Sequence, residues 1–334
     1  MHPPFPHDHK PHAPDAHSLG PSLAGPLANA CEGRLGTIEW FRSVWQHGGA
    51  STGLATWTGA EGTPVPAVVK LPVGPVEYAW TTTLAAADPD PPTPRVLAAG
   101  ESLGGYDLAW LVVERLEGQP LSQHLSEEAV IDLLRAAADF HEHASRVRPV
   151  GSPPPNPDWA PLLERARDLT RHGALHEPQR WNEAIKKVQR ALPVLQRKWN
   201  TRPVSGWCHG DLHPGNALRR AGSPASPSSN ARHGCVLIDL ALVHAGHWVE
   251  DAVYLERLFW GRTEQLHGVK PVSMLARLRR ERGAHADNGY AELAMVRRVL
   301  MAACVPVYAE REGHHKYTHA ALEILEKGLP QVIH

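Results

Sequence analysis

One stretch limits the possible folds of this chain more than any other: Trp207-Cys208-His209-Gly210-Asp211-Leu212-His213-Pro214-Gly215-Asn216, followed downstream by Cys235-Val236-Leu237-Ile238-Asp239. Gly210, Pro214 and Gly215 interrupt helix and strand alike, so residues 209–216 read as a loop. The loop carries a carboxylate, Asp211, and an amide, Asn216, five positions apart. The second piece reads as a short buried strand that ends on another carboxylate, Asp239. A fold that accepts this pattern must hold a tight loop rigidly, which is how scaffolds fix reactive side chains.

Three such oxygen donors suit magnesium-dependent phosphoryl transfer. One carboxylate accepts the proton of an attacking hydroxyl, while the amide and the other carboxylate hold hard cations on nucleotide phosphates. Kinase catalytic loops place a base Asp five residues before an Asn and follow with a metal-binding Asp, and the spacing here is the same. Asp211, Gly215 and Asn216 are also ordinary turn formers; the strand-ending Asp239 favours the chemical reading. With the octet His209 to Asn216 and Ile238-Asp239 in view, the chain resembles the aminoglycoside phosphotransferase/choline kinase-like family, a branch of the protein-kinase-like fold. The resemblance implies an α+β fold with a small N-lobe built on an antiparallel sheet and a larger, mainly helical C-lobe. It further implies ATP and Mg2+ as cofactors, Asp211 as catalytic base, and Asn216 and Asp239 as metal ligands.

A length of 334 residues fits two lobes with ample core. Hydrophobic (42%) and charged (21%) shares are those of an ordinary globular enzyme, and a net charge of -1 points to neither nucleic acid nor membrane as partner. No apolar run of membrane-spanning length and no signal-peptide core stand out, so a cytoplasmic location is expected. Cys31, Cys208, Cys235 and Cys304 form no Cys-x-x-Cys pair and read as reduced and mostly buried.

Residues 1–35 are rich in Pro and His and read as a disordered tail. Ile38, Phe41, Val44 and Trp45 fall at helical spacing and predict a short helix. Gly48, Gly49 and Gly53 then bracket small hydroxyl residues, among them Ser51 and Thr52. Such a run lets backbone amides approach phosphates, and it is also the usual composition of a plain turn. In the family, a loop at this place covers the nucleotide, which assigns Ser51, Thr52 and Gly53 to it. Pro66 to Leu71 is an apolar strand holding Lys70 near its end. A lysine there either snorkels to solvent or meets an anion. The resemblance makes it the lysine on the nucleotide phosphates, with Glu77 as its partner from the next helix; by residues alone Glu77 is a first-turn acid.

Residues 95–100 and 108–113 read as two strands around a Gly104-Gly105 turn. The strand then stops before Gly118 and Pro120, a natural joint. The resemblance puts adenine contacts at the Glu114 carbonyl and the Leu116 amide, and divides the chain into an N-lobe over 36–116 and a C-lobe over 117–334. Ser126 can cap a helix one face of which runs through Val130, Leu133, Leu134, Ala137, Phe140 and His141. His141 and His143 point to different faces and read as a polar helix end. Two more amphipathic helices follow, over 159–173 and 177–200, the second interrupted at Pro193. Asp251 matches a family acid that braces the site loop; as a residue it equally suits a first helical turn.

After Asp239 comes Leu240-Ala241, and no Ala-Pro-Glu follows, which speaks against a protein kinase with a phosphorylated activation segment. Basic residues outnumber acidic ones from Ala252 onward, so no acid-rich pocket for a polycation is evident. The expected activity is transfer of the ATP γ-phosphate to a hydroxyl of an amino sugar, sugar, amino alcohol or fructosamine-type acceptor, by a monomer or homodimer. The alternatives are a nucleotide-binding regulator or scaffold of the same fold without turnover, or a protein kinase.

Overall fold

The computed structural model describes residues 16–41, 50–172, 175–220, 234–284, 288–312 and 315–333. The chain separates into two compact units. One comprises His2–Pro120 with Asn216–Val243, the other Leu121–Gly215 with His244–His334.

The first unit opens with helices α1 (Ala16–Ser22) and α2 (Ala24–Ala30), then strands β1 (Glu39–Phe41), β2 (Ser51–Thr58) and β3 (Pro64–Leu71). Helix α3 (Pro75–Ala87) and strands β4 (Val96–Gly100) and β5 (Trp110–Glu114) follow. The five strands form one sheet in the order β1-β2-β3-β5-β4, with every neighbouring pair antiparallel. Strand β3 shows how the sequence specifies its placement. Ala67, Val69 and Leu71 alternate onto one face and are buried with Leu27, Trp57 and Val112, while Lys70 lies on the other face. The expected turn at Gly104-Gly105 is present, both glycines having positive φ.

Two expectations fail in this unit. The stretch 1–35 is not a featureless tail throughout: residues 16–22 and 24–30 are helical, and Leu23, Leu27, Cys31 and Leu35 complete the core under the sheet. Few apolar residues are needed there because the sheet supplies the rest of the core. Residues 39–41 are strand rather than helix, pairing with Leu54, Gly53 and Thr52; Val44 and Trp45 lie outside the described residues. A neighbouring strand edge outweighed local spacing.

The second unit is mainly helical: α4 (Glu127–Val147), α5 (Trp159–His172) and α6 (Pro178–Asn200), then the short strand β6 (Gly206–Cys208). The chain returns to the first unit for a hairpin, β7 (Ala217–Arg219) and β8 (Cys235–Leu237), before β9 (His244–Gly246) pairs with β6. Helices α7 (Val249–Leu258), α8 (Pro271–Glu281), α9 (Tyr290–Ala303), α10 (Val305–Glu312) and α11 (His315–Val332) complete it. Ser126 caps α4 as expected, its hydroxyl accepting from the Ala129 amide at 3.2 Å. Trp159, Trp181, Ile185, Trp199, Leu300 and Leu322 pack in one core.

The boundary expected at 116/117 lies at 120/121, and residues 216–220 and 234–243 belong with the sheet. The hairpin is stitched there by the Leu237 amide on the Pro92 carbonyl (3.0 Å) and by a bridge between Pro120 and Leu218. Pro193 does not interrupt α6. It is exposed, so its ring sits on the solvent side, and Leu192 and Leu195 remain buried on either side. Among the described residues no helix is long and apolar enough to cross a membrane.

Gly261 follows α7 with φ of +75°, and a Cβ there would stand 2.3 Å from the Lys316 carbonyl oxygen. Gly261→Ala is therefore expected to cost about 2–4 kcal/mol, from left-handed backbone strain plus a backbone overlap that no rotamer relieves. A lower urea midpoint at unchanged m-value would show it; an unchanged midpoint would refute it.

Candidate active site

The sheet-bearing unit holds Lys70, Glu77, Asn216 and Asp239. Lys70 reaches from β3 to Glu77 in the first turn of α3, and its Nζ lies 2.6 and 2.7 Å from the two carboxylate oxygens. Asp239 Oδ1 is 3.7 Å from the same Nζ. Burial raises the Glu77 pKa, the Lys70 charge opposes that, and Asp239 adds to the rise. One lysine thus stands between two acids drawn from α3 and from the hairpin.

The hairpin sets the second pair of donors. In the register Ala217↔Leu237, the Ile238 amide donates to the Asn216 carbonyl at 2.9 Å. That places Asn216 beside the residue preceding Asp239. Asp239 adopts φ of +62°, a left-handed conformation an aspartate tolerates, and it turns the chain immediately after β8. A carboxylate and an amide oxygen are the donor types a hard divalent cation prefers, and the Asp239 carboxylate already faces a cation in Lys70 Nζ. The residues fit a magnesium ion on chemical grounds.

The residues expected in the phosphate loop lie partly in a strand. Ser51, Thr52 and Gly53 are the first residues of β2, paired with Leu71, Lys70 and Val69, while Gly48 and Gly49 lie outside the described residues. The absence of a side chain at Gly53 serves packing: a Cβ there would meet Ile38 Cγ2 at 2.3 Å and the Trp40 ring at 3.1 Å. Glu114 ends β5, with its carboxylate on Arg220 and Arg95. Leu116 follows two residues on, half-buried.

The helical unit holds Asp211. The loop after β6 is suspended from Asp251, in the first turn of α7, which accepts the His209 amide at 2.8 Å and the Gly210 amide at 2.9 Å. Asp251 is fully buried, and so is His141. Its Nε2 lies 2.8 Å from Asp251, and its Nδ1 faces the Arg279 guanidinium at 3.3 Å. Arginine only donates, so Nδ1 accepts and Nε2–H donates to the carboxylate. Burial lowers the His141 pKa despite the Asp251 bond that raises it, which keeps the imidazole neutral. For Asp251, burial works against ionisation, but the His141 bond, nearby charge and the Gly210 amide outweigh it and lower the pKa. His141 and His143 therefore do not form a polar helix end: both are buried. The sequence could not show a partner 110 residues away.

Asp211 presents both carboxylate oxygens to neighbours. The Tyr254 hydroxyl donates to Oδ1 at 2.5 Å, and His213 Nε2 stands 3.6 Å from Oδ2. The Gly215 amide donates to His213 Nδ1 at 3.0 Å, so the ring proton is on Nε2. Burial raises the Asp211 pKa, yet His213 and Tyr254 hold it down to about 2. Tyr254 was missed from sequence. Its one available signal is its position three residues beyond Asp251, on the same face of α7.

Among the described residues, one further group has metal-ligand spacing, Cys208, His244 and Glu250. Arg202 Nε bonds Glu250 at 3.0 Å, and burial pushes the Cys208 thiol up, so an arginine supplies the counter-charge there.

The chain matches the phosphotransferase enzyme family over residues 58–296, more than half of its length. Among solved structures it resembles a candidate fructosamine-3-kinase from Thermobifida fusca YX-ER1 (19% identity, TM-score 0.51, covering 92% of this chain and 99% of that one). It also resembles a candidate aminoglycoside phosphotransferase from Ralstonia eutropha JMP134 (15% identity, TM-score 0.53, 92% and 97% covered). A third is a thermostable variant of aminoglycoside phosphotransferase APH(4)-Ia, solved with ADP and hygromycin B (16% identity, TM-score 0.50, 92% and 98% covered). At such identities the likeness is one of fold. No curated protein matches the chain.

Proposed function

The chain belongs to the phosphotransferase enzyme family, and we propose that it is an ATP- and Mg2+-dependent kinase of small hydroxyl compounds. The observation that carries this reading is Lys70 Nζ held by both Glu77 oxygens within 3.7 Å of Asp239. A buried-strand lysine fixed in that way is a point charge aimed for phosphate oxygens. The ADP complex of the APH(4)-Ia variant supports a nucleotide as its partner.

In this scheme Ser51, Thr52 and Gly53 lie along the phosphates, and the Glu114 carbonyl and Leu116 amide receive adenine. Asn216 and Asp239 would hold the divalent ion, which when bound would neutralise charge on the phosphates. The acceptor oxygen forms a bond to the γ-phosphorus, the bond from that phosphorus to the β–γ bridging oxygen breaks, and ADP leaves with its electron pair. The acceptor proton passes to Asp211. A base held near a pKa of about 2 is too weak to strip an alcohol early. It orients the hydroxyl and takes its proton late, which suits a loose transition state. The acceptor is an amino sugar, sugar, amino alcohol or fructosamine-type compound.

The test is ADP release with a panel of such acceptors, with the phosphate monoester identified by phosphorus NMR. ADP binding without turnover on any acceptor would favour the scaffold reading, and phosphorylation of protein alone would favour a protein kinase. Tyr254→Phe is expected to raise the acid limb of the kcat profile by about 1–2 pH units, because a hydrogen bond to a charged group contributes about 1.5–3 kcal/mol. An unmoved limb would remove Tyr254 from the account.

A further inference from the structure

Arg220, the residue after β7, is buried, and its guanidinium joins three pieces of the sheet-bearing unit. One arm pairs with Asp90, in the proline-rich segment after α3. The other donates to Glu114 Oε1 at 2.6 Å and to the Thr93 carbonyl at 3.0 Å. Arg95 closes the group from the solvent side, at 3.2 Å from Asp90 and 3.4 Å from Glu114, and its amide donates to Glu114 Oε1 at 2.9 Å. Two cations and two anions balance, but only Arg220 belongs to the hairpin.

The hairpin has two working ends. Asn216 and Asp239 stand at one, and Arg220 stands four residues from Asn216 at the other. A strand of that length is about 13 Å long and stiff, so a displacement at one end is carried to the other. Nearby backbone leaves no slack: the Pro92 carbonyl accepts the Leu237 amide, and a Cβ on Gly118 would stand 2.6 Å from the Arg219 carbonyl. An arginine fork suits this task because it fixes two acceptors in a plane, which a lysine cannot do.

Resting on the kinase reading above, we propose that Arg220 is a positioning residue for the nucleotide, locking the strand end at Glu114 to the hairpin that carries Asn216 and Asp239. Adenine recognition and metal affinity are thereby coupled through one side chain that touches neither.

The experiment uses the full chain with Mg2+ and ADP in calorimetry, alongside acceptor KM and thermal midpoint. Arg220→Lys keeps the charge and loses the fork. It is expected to weaken ADP binding by 10-fold or more and to raise the Mg2+ concentration needed for it, with acceptor KM within twofold of the parent. Arg220→Gln is expected to do more, and adding Glu114→Gln to it to recover part of the loss by removing the stranded acid. If Arg220→Lys lowers the thermal midpoint but leaves both affinities within twofold, Arg220 is only structural and the proposal falls. If the parent itself binds no ADP with Mg2+, the kinase reading falls first. If the parent binds and the variant matches it, only the present inference falls.

Discussion

Asp211→Ala is expected to lower kcat by about 10²–10⁴-fold, the usual cost of removing one positioned base, while ADP affinity stays near that of the parent. Asp211 sits in the helical unit, hydrogen-bonded to Tyr254 there, whereas Lys70, Glu77 and Asp239 belong to the other unit. Asp211→Asn makes the sharper comparison, because its amide oxygen can still accept from Tyr254. It should lose the same activity with an unchanged thermal midpoint. Single-turnover rates with saturating ATP would separate chemistry from binding. An alanine variant retaining activity within a few-fold would show that another group takes the proton.

Asp251→Ala should produce the largest loss of stability, about 3–5 kcal/mol, since it removes one side of a fully buried hydrogen-bonded group. The His209 and Gly210 amides and His141 would lose their acceptor together. Activity should fall with it, because the loop carrying Asp211 hangs from those amides. The pH dependence has a definite sign. The Asp251 pKa is lowered in the folded protein, so its contribution is present above the ordinary carboxylate range and is lost as pH falls through the folded value. The His141 pKa is lowered as well, so the unfolded chain takes up that proton first and stability begins to fall as pH drops below about 6.5. Urea midpoints from pH 8 to pH 4 should therefore decline in the parent and decline at least as much in Asp251→Asn, where His141 loses the carboxylate that raises its pKa. A flat parent profile would contradict this arrangement.

The parts of the site legible in sequence were those whose spacing encodes geometry. Loop breakers around Asp211 and the strand ending at Asp239 needed no tertiary information. The Lys70–Glu77 pair was legible through the family resemblance alone, since by its residues Glu77 is an ordinary first-turn acid. His141 was misread because its polarity is satisfied by Asp251, which local periodicity cannot reveal. Tyr254 and Arg220 carried no motif, and each acquires its partners only when distant segments meet. The strand at 39–41 and the helices at 16–30 were missed for a shared reason: their apolar residues are too few to specify them alone, and an existing sheet completes them.

The similarity to the family begins at residue 58, the last residue of β2. A chain trimmed to that limit would lose β1, all but the last residue of β2 and the two leading helices, taking Leu23, Leu27, Cys31, Leu35 and Trp57 from the core that covers Ala67, Val69 and Leu71. The core of the sheet-bearing unit thus reaches beyond the recognisable portion of this protein, and the unremarkable opening residues from Ala16 onward serve as the floor on which the lysine-bearing strand rests.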